Sequence, residues 1–244
     1  MKKTTRLILG IVLLAALIGA VLWLGLSGAQ DKEPAPTAEP TPILTAEPTP
    51  EPTPTPEPDN GLPKVDTASW ELLLVNPWNN IGDYSPETAQ LENVYLDARI
   101  IDAMEQFVAA ARAEGLSVRL NSGYRTYYDQ SYLYNRKVAE YGTEVAKTIV
   151  APPGTSEHQS GLACDITDRS YEYLNSELEN TELYKWMSVY CQEYGFIVRY
   201  PKDKQDITGI IYEPWHFRYV GVEAATYIME NGLCLEEFLE LYNE

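Results

Sequence analysis

The chain contains only two histidines, and each lies in a short polar motif. His158 precedes a carboxylate, Asp165, and His216 follows a second one, Glu213. Two imidazoles and one carboxylate can occupy three corners of a zinc tetrahedron and leave the fourth for water, as hydrolytic zinc sites do. Taken singly, such residues are more often hydrogen-bonded or solvated side chains. Their pattern nevertheless suggests a hydrolytic metal site, with Glu213 placed to take a proton.

These side chains can meet only if the backbone bends between them. His158 and Asp165 would lie up to roughly 23 Å apart in an extended segment at 3.3 Å per residue, so the segment has to fold back. Gly161 tolerates the conformations that such a bend requires. In the second motif, residues three apart on a straight strand face opposite sides. A bend at Pro214 is therefore expected to bring that carboxylate and histidine together. Trp215 would then pack beneath them and form a wall of the site.

The spacing of apolar residues predicts the elements that carry these motifs. Apolar positions recur at helical spacing from Leu96 to Glu114. Gly115 can adopt the left-handed conformation that commonly ends a helix. The Pro-rich segment before His158 is predicted to be a loop. Short strands mixed with helices favour an α+β domain with a small antiparallel sheet flanked by helices. Further helices are predicted at 127–141 and 179–194, and strands at 117–120, 163–167, 196–200 and 216–220.

The first 30 residues predict a membrane anchor. Three basic residues precede an uncharged apolar run from Leu7 to Leu26, which is long enough as a helix to cross a hydrocarbon layer of roughly 30 Å. The positive flank is expected to stay in the cytoplasm. A cleaved signal peptide is the alternative, because Ser27 and Ala29 offer small residues before a cut. Either interpretation places the rest of the chain outside the cytoplasm, and the anchor would make it a single-pass membrane protein.

Residues 31–63 repeat Pro, Thr and Glu and predict a disordered, extended stalk. Proline favours the polyproline II conformation, and glutamates repel one another, so the segment would act as a spacer. The remaining residues, 64–244, have the length of one compact domain. We expect this domain to be a monomer.

The overall composition excludes one class of partner. The formal net charge is -18, so the polyanionic backbone of a nucleic acid would be repelled. The chain has 3 cysteines, too few for a disulfide scaffold. One bridge, between Cys191 and Cys234, is a hypothesis that an extracytoplasmic location permits. Cys164 lies beside Asp165 on the predicted strand and should therefore point to the opposite face, into the core.

Three sequence elements together resemble one family, the VanY-type zinc D-alanyl-D-alanine carboxypeptidases (peptidase M15B-like). The first element, S-x-H-x-x-G-x-A-x-D, is matched by Ser156, His158, Gly161, Ala163 and Asp165. The second, E-x-x-H, is matched by Glu213 and His216. The third is matched by Ser122-Gly123-Tyr124-Arg125 and Gln130. The resemblance spans about Leu72 to Val220 in the family's order, without a departure at a ligand or base position.

The resemblance implies a role for each matched residue. Zinc would be bound by His158, Asp165 and His216, with Glu213 as the catalytic base. Arg125 would hold or polarise the substrate, with a structural salt bridge as the alternative. The residues implied to line the substrate pocket are Arg125, Gln130, Ser156, Tyr124 and Trp215.

The implied function is removal of the terminal D-alanine from peptidoglycan stem peptides outside a bacterial membrane. Two alternatives remain open at this point. Similar zinc folds cleave an L,D bond or act as peptidoglycan endopeptidases, and the sequence does not distinguish these specificities. The fold also resembles the signalling domain of hedgehog proteins, so a non-catalytic zinc-containing wall-binding module is the second alternative. The presence of Glu213 argues against it.

Overall fold

Two antiparallel sheets form the framework of the computed structural model, which describes residues 61–171 and 173–243. The first sheet is a hairpin of two strands, β1 (Thr88–Leu91) and β2 (Val94–Asp97). The second has four strands in the order β3-β4-β6-β5. Its members are β3 (Val118–Ser122), β4 (Ala163–Asp168), β5 (Phe196–Val198) and β6 (His216–Tyr219).

Helices pack around this four-stranded sheet. The longer ones are α1 (Ile101–Ala113), α2 (Tyr127–Tyr141), α4 (Glu182–Tyr190) and α6 (Val222–Asn231). The shorter ones are α3 (Thr143–Ile149), α5 (Gln205–Thr208) and α7 (Leu235–Glu240). Short 3-10 helices cover Trp70–Leu72, Ala98–Ile100, Glu157–Ser160, Ser176–Asn180 and Cys191–Tyr194. The described domain is α+β, as the sequence predicts.

The two faces of the four-stranded sheet differ in chemistry. Cys164 on β4 pairs with Phe217 on β6, and both side chains belong to the main hydrophobic core. The next pair along the same strands is Asp165 and His216, which project to the other face because side chains alternate along a strand. Cys164 is thus directed into the core, as predicted. One face of the sheet packs on the main core, and the other carries the polar site together with Ile197, which belongs to a second apolar cluster.

The main core is built around α1. Phe107 is fully buried, and its ring lies 5.5 Å from that of Phe196 and 5.7 Å from that of Phe217. Burial of aromatic rings in this way is among the largest favourable contributions to folding. A second cluster joins Ile197 on β5 to the C-terminal helices, including Phe238 on α7. Successive residues of β5 thus contribute to both clusters, Phe196 and Val198 to the main core and Ile197 to the second.

Several predicted boundaries require correction. The helix predicted from residue 96 starts at Ile101, because residues 94–97 belong to the β1–β2 hairpin. The predicted helix 179–194 is α4 with a 3-10 segment on either side, and the strand predicted to reach residue 200 ends at Val198. Helix α2 has the predicted bounds. The β1–β2 hairpin and the helices α3, α5, α6 and α7 were not predicted.

The hypothesis of a disulfide is wrong for this structure. Cys191 and Cys234 are free and buried, and they occupy different places. Cys191 packs in the main core, while Cys234 is the N-cap residue of α7. The predicted anchor and the stalk up to residue 60 lie outside the described residues. Within residues 61–171 and 173–243, no helix has the length and apolarity needed to cross a membrane.

Candidate active site

The strand register brings two of the predicted metal ligands together. Asp165 on β4 and His216 on β6 are direct cross-strand partners. His158 lies on the 3-10 helix just before β4, and Gly161 ends that helix in the left-handed conformation, with φ at 74°. This is the bend that the sequence requires. One ligand atom from each of His158, Asp165 and His216 lies within 4.8 Å of the others, and all three residues are buried.

The two imidazoles present different nitrogens to Asp165. Nε2 of His158 lies 3.3 Å from Oδ2 of Asp165, and Nδ1 of His216 lies 3.2 Å from Oδ1. The opposite nitrogen of each ring has its own partner. Nδ1 of His158 lies 2.8 Å from the carbonyl oxygen of Gly123, and Nε2 of His216 lies 3.2 Å from Oε2 of Glu157. Both rings are therefore fixed in orientation.

The charges of these groups depend strongly on one another. Burial raises the pKa of Asp165, but the two histidines outweigh it and hold the pKa below its usual range. Burial lowers the pKa of His158. For His216 burial acts in the same direction, but hydrogen bonds to Asp165 and Glu157 outweigh it and raise the pKa to about 9. The site thus combines an ionised carboxylate with two imidazoles.

Glu213 reaches the same site through a turn. The amide of His216 donates to the carbonyl of Glu213 at 3.2 Å, and Pro214 lies within that turn, ahead of β6. Oε2 of Glu213 lies 3.7 Å from Nδ1 of His216. The predicted bend therefore does bring carboxylate and histidine together. Burial raises the pKa of Glu213 to about 7, which is a suitable value for a group that accepts and returns a proton near neutral pH.

Arg125 supplies a cation on the other side of the site. Its guanidinium donates to Oε1 of Gln130 at 2.6 Å and to Oγ of Ser122 at 3.0 Å. Gln130 is buried and in turn donates to the carbonyl of Ala151 at 2.6 Å. Burial lowers the pKa of Arg125, opposed by the nearby Asp165, and an arginine remains protonated in such surroundings. None of the hydrogen bonds described for this guanidinium is a salt bridge.

A cavity of about 310 Å³ joins these groups. Its polar floor holds the three clustered ligands with Glu213 and Arg125, and aliphatic side chains from three separate segments, Ile149, Leu174 and Ile211, form part of its lining. The predicted pocket residues Gln130, Ser156 and Trp215 also line it.

Tyr124 is the one predicted pocket residue that the structure places elsewhere. Its hydroxyl lies 3.1 Å from Oγ of Ser85, and its backbone amide donates to the carbonyl of Tyr95. These contacts attach the segment before Arg125 to the β1–β2 hairpin region. Tyr124 is not part of the cavity lining.

Sequence reasoning missed four residues around the site. Glu157 is fully buried and ion-paired to Arg199 and Arg218, which are themselves fully buried. Tyr200 lines the cavity, and its ring lies 4.8 Å from the ring of His216. The sequence does contain a clue to the ion pairs. Arg199 and Arg218 stand in otherwise apolar strand segments, where a charged residue is almost never fully buried unless it is paired.

The donor set fits zinc. Two imidazole nitrogens and one carboxylate oxygen are ligands that zinc binds, and catalytic zinc sites use three protein ligands and keep one position open. The second partners of the two imidazoles, Gly123 and Glu157, are a backbone carbonyl and a carboxylate, the groups that commonly orient zinc-bound histidines. With a nearby carboxylate, Glu213, in the same cavity, the fold and the site define a zinc metallopeptidase.

Comparisons with known proteins agree with this class. Residues 93–222 match the family model VanY, D-alanyl-D-alanine carboxypeptidase. A D-alanyl-D-alanine carboxypeptidase of Enterococcus faecalis is 44% identical over 185 residues, which cover 71% of this chain and 67% of the relative. A solved vancomycin-resistance D,D-pentapeptidase VanY, a mutant in complex with Zn(II), has a TM-score of 0.63 and 44% identity, covering 70% of this chain and 99% of that one.

A second solved structure has a different specificity. The LD-carboxypeptidase LdcB has a TM-score of 0.59 and 42% identity, covering 66% of this chain and 76% of that chain. The extent of the family match and the identities to the relatives are sufficient to place the sequence: the chain belongs to the VanY D-alanyl-D-alanine carboxypeptidase family. The chain is therefore a zinc-dependent carboxypeptidase of this family.

Proposed function

We propose that this enzyme removes the terminal D-alanine from peptidoglycan stem peptides. The observation that supports the proposal is the meeting of the ligands His158, Asp165 and His216 within 4.8 Å, in a cavity that also holds Glu213 and Arg125. The first three residues would hold zinc. When bound, zinc supplies Lewis acidity, which acidifies water and polarises the scissile carbonyl.

Glu213 is the proton carrier in this proposal. Its carboxylate lies beside His216, at the edge of the metal site. As a base it accepts the proton of the attacking water, and as an acid it returns that proton to the amine of the departing D-alanine. Burial raises the pKa of Glu213, so this carboxyl group holds a proton more readily than an exposed glutamate and can return it to the departing amine.

Arg125 binds the terminal carboxylate of the substrate in this proposal. An exopeptidase has to recognise the free carboxylate at the end of its substrate, and a guanidinium can bind a carboxylate through two parallel hydrogen bonds. Gln130 and Ser122 already fix the orientation of the guanidinium. Ser156 and Trp215 bound the same cavity, and we assign them to contact with the peptide, whereas Tyr124 positions the segment that carries Arg125.

The test of the proposed chemistry is Glu213→Gln. We expect the variant to bind zinc as the wild type does and to release D-alanine from a pentapeptide roughly 10²–10⁴-fold more slowly, the usual contribution of a general base. Glu105→Gln is the matched control, because it makes the same change at an exposed position on α1. Zinc content and D-alanine release are measured on both proteins. Near-normal release by Glu213→Gln would refute the assignment.

An L,D specificity is the second candidate, and the likeness to the LD-carboxypeptidase LdcB favours testing it. Mass spectrometry of digests of a defined pentapeptide and a defined tetrapeptide separates the two activities. Loss of D-alanine from the pentapeptide alone supports the D,D proposal, while cleavage of the tetrapeptide supports the alternative. Zinc-loaded protein that binds peptidoglycan and releases nothing from either peptide would point to a binding module.

We further propose that residues 1–30 anchor the protein in the bacterial cell membrane and that residues 31–63 are a stalk carrying a monomeric catalytic domain on the outer side. The support is the apolar run Leu7–Leu26 and the Pro/Thr/Glu repeats of the sequence. Full-length protein should then remain in the membrane fraction until detergent is added, and its domain should be open to protease in spheroplasts. A shortened protein found in the medium would instead indicate a cleaved signal peptide.

A further inference from the structure

Glu157 has an unusual position for a carboxylate. Its side chain is completely buried, between the metal site and two arginines. Oε2 lies 3.2 Å from Nε2 of His216. Oε1 accepts hydrogen bonds from Nε of Arg199 at 2.6 Å and from Nη1 of Arg218 at 2.8 Å. The two oxygens thus serve separate tasks: one faces the arginines and the other faces a metal ligand.

The contact with His216 determines which ring nitrogen can bind a metal. An ionised carboxylate only accepts hydrogen bonds, so Nε2 of His216 has to carry the proton that it shares with Glu157. A neutral imidazole has one protonated nitrogen and one free lone pair. In the zinc-loaded protein the metal would replace the proton that Nδ1 shares with Asp165, so the lone pair is on Nδ1, the atom that faces Asp165 and Glu213.

We propose that Glu157 is a positioning residue for the zinc site, which fixes the ring and the tautomer of His216 so that Nδ1 is available to the metal. A carboxylate behind a metal-bound histidine also increases the basicity of the ligand. The role concerns metal binding alone, so it is independent of which peptide bond the enzyme cleaves.

The arginines keep Glu157 in the form that this role needs. Burying a lone carboxylate would be costly, but Arg199 and Arg218 supply compensating charge on the side away from the histidine. Arg199 also donates to both carboxylate oxygens of Glu236 on α7, at 2.8 Å and 2.7 Å. Arg199 is thus shared between the carboxylates of Glu157 and Glu236.

The other histidine is held in a different way. Nδ1 of His158 faces the backbone carbonyl of Gly123, which can only accept, so the free lone pair of His158 is on Nε2. A substitution cannot remove this backbone acceptor. His216 is therefore the ligand whose tautomer depends on a side chain, and the chain has no other histidine besides these two.

Glu157→Gln is the informative substitution. The arginine N–H groups that point at Oε1 require an acceptor, so the amide oxygen of the glutamine has to take that place. The amide NH₂ then faces Nε2 of His216 and donates to it. This reverses the tautomer preference of His216 and puts the proton on Nδ1, the atom that should bind the metal. We expect zinc affinity to fall roughly 10–100-fold, the usual effect of losing a partner behind a metal ligand.

Glu236→Gln is the matched control. It makes the same charge change on a partner of the same guanidinium, but Glu236 does not contact either histidine in the described structure. Zinc affinity is measured for both variants by competition with a chromogenic chelator, after circular dichroism has established that each is folded. The proposal predicts a loss of affinity in Glu157→Gln and a change of less than about twofold in Glu236→Gln. Equal losses would mean that only the charge balance matters, and would overturn the proposal.

A measurement on the wild type tests the same proposal without a variant, should Glu157→Gln fail to fold. With only two histidines, the ring nitrogens of tag-free, zinc-loaded protein can be assigned from long-range proton–nitrogen correlation spectra. We expect His158 to be protonated at Nδ1 and His216 at Nε2. The same protonated nitrogen in both rings would overturn the proposal. In a folded Glu157→Gln variant, the ring signals of His216 should shift while those of His158 stay in place.

Discussion

Gly161 offers the sharpest test of how the backbone assembles the metal site. It has φ of 74°, and its carbonyl accepts a hydrogen bond from the amide of Asp97 at 3.0 Å. A Cβ added at this position would lie 2.8 Å from that amide nitrogen and 3.2 Å from Cγ of Pro86. The first contact is with backbone, which cannot rotate away as a flexible side chain would.

Gly161→Ala should therefore destabilise the domain in two ways. The left-handed conformation costs an L-residue roughly 1–2 kcal/mol, and forcing extra atoms into a packed place adds about 1–3 kcal/mol. Gly115→Ala isolates the first cost, because Gly115 has φ of 80° but nothing within 4 Å of an added Cβ. The variant at Gly161 should thus lose about 1–3 kcal/mol more than the variant at Gly115.

The assay is urea unfolding of both variants and the wild type in the presence of a chelator, followed by zinc titration of the folded proteins. Displacement of the turn shifts His158 relative to Asp165, so we expect weaker zinc binding in Gly161→Ala and wild-type binding in Gly115→Ala. Equal losses of unfolding free energy in the two variants would refute the reasoning, since the close approach to Asp97 would then have no energetic consequence.

Two further predictions concern the ligands and the buried ion pairs. Elemental analysis should find no stoichiometric zinc in His216→Ala. Cys164→Ala should retain zinc, because Cys164 faces the core. Stoichiometric zinc in His216→Ala would contradict the proposed ligand set. Burial raises the pKa of Glu236, but Arg199 outweighs burial and lowers the pKa from its ordinary value of 4.5. The ionised Glu236 therefore stabilises the fold fully above pH 4.5, and this stabilisation is lost as the pH falls through the lower pKa of the folded state. Glu236→Gln should accordingly lower the free energy of unfolding at pH 7 by roughly 1.5–3 kcal/mol, and a difference in urea midpoint that does not shrink below pH 4.5 would contradict this.

Local sequence determined the chemistry of the site to a large extent. The two histidine motifs predict the three candidate metal ligands that the structure brings together, because few combinations of residue types can hold a catalytic zinc. The bends at Gly161 and Pro214 follow from the same motifs, since ligands close in sequence cannot meet on a straight strand. Most of helix α1 was predicted because the helical spacing of its apolar residues is a local property.

Only the tertiary structure decided what surrounds those ligands. The pairing of Asp165 with His216 is a matter of strand register between segments far apart in sequence, and no local pattern specifies it. The same holds for Glu157, whose partners Arg199 and Arg218 come from the segment after β5 and from β6, respectively. Burial of a charge is possible only when long-range folding supplies compensating charge, so a sequence can show that a carboxylate is present but only the assembled fold shows what it holds in place.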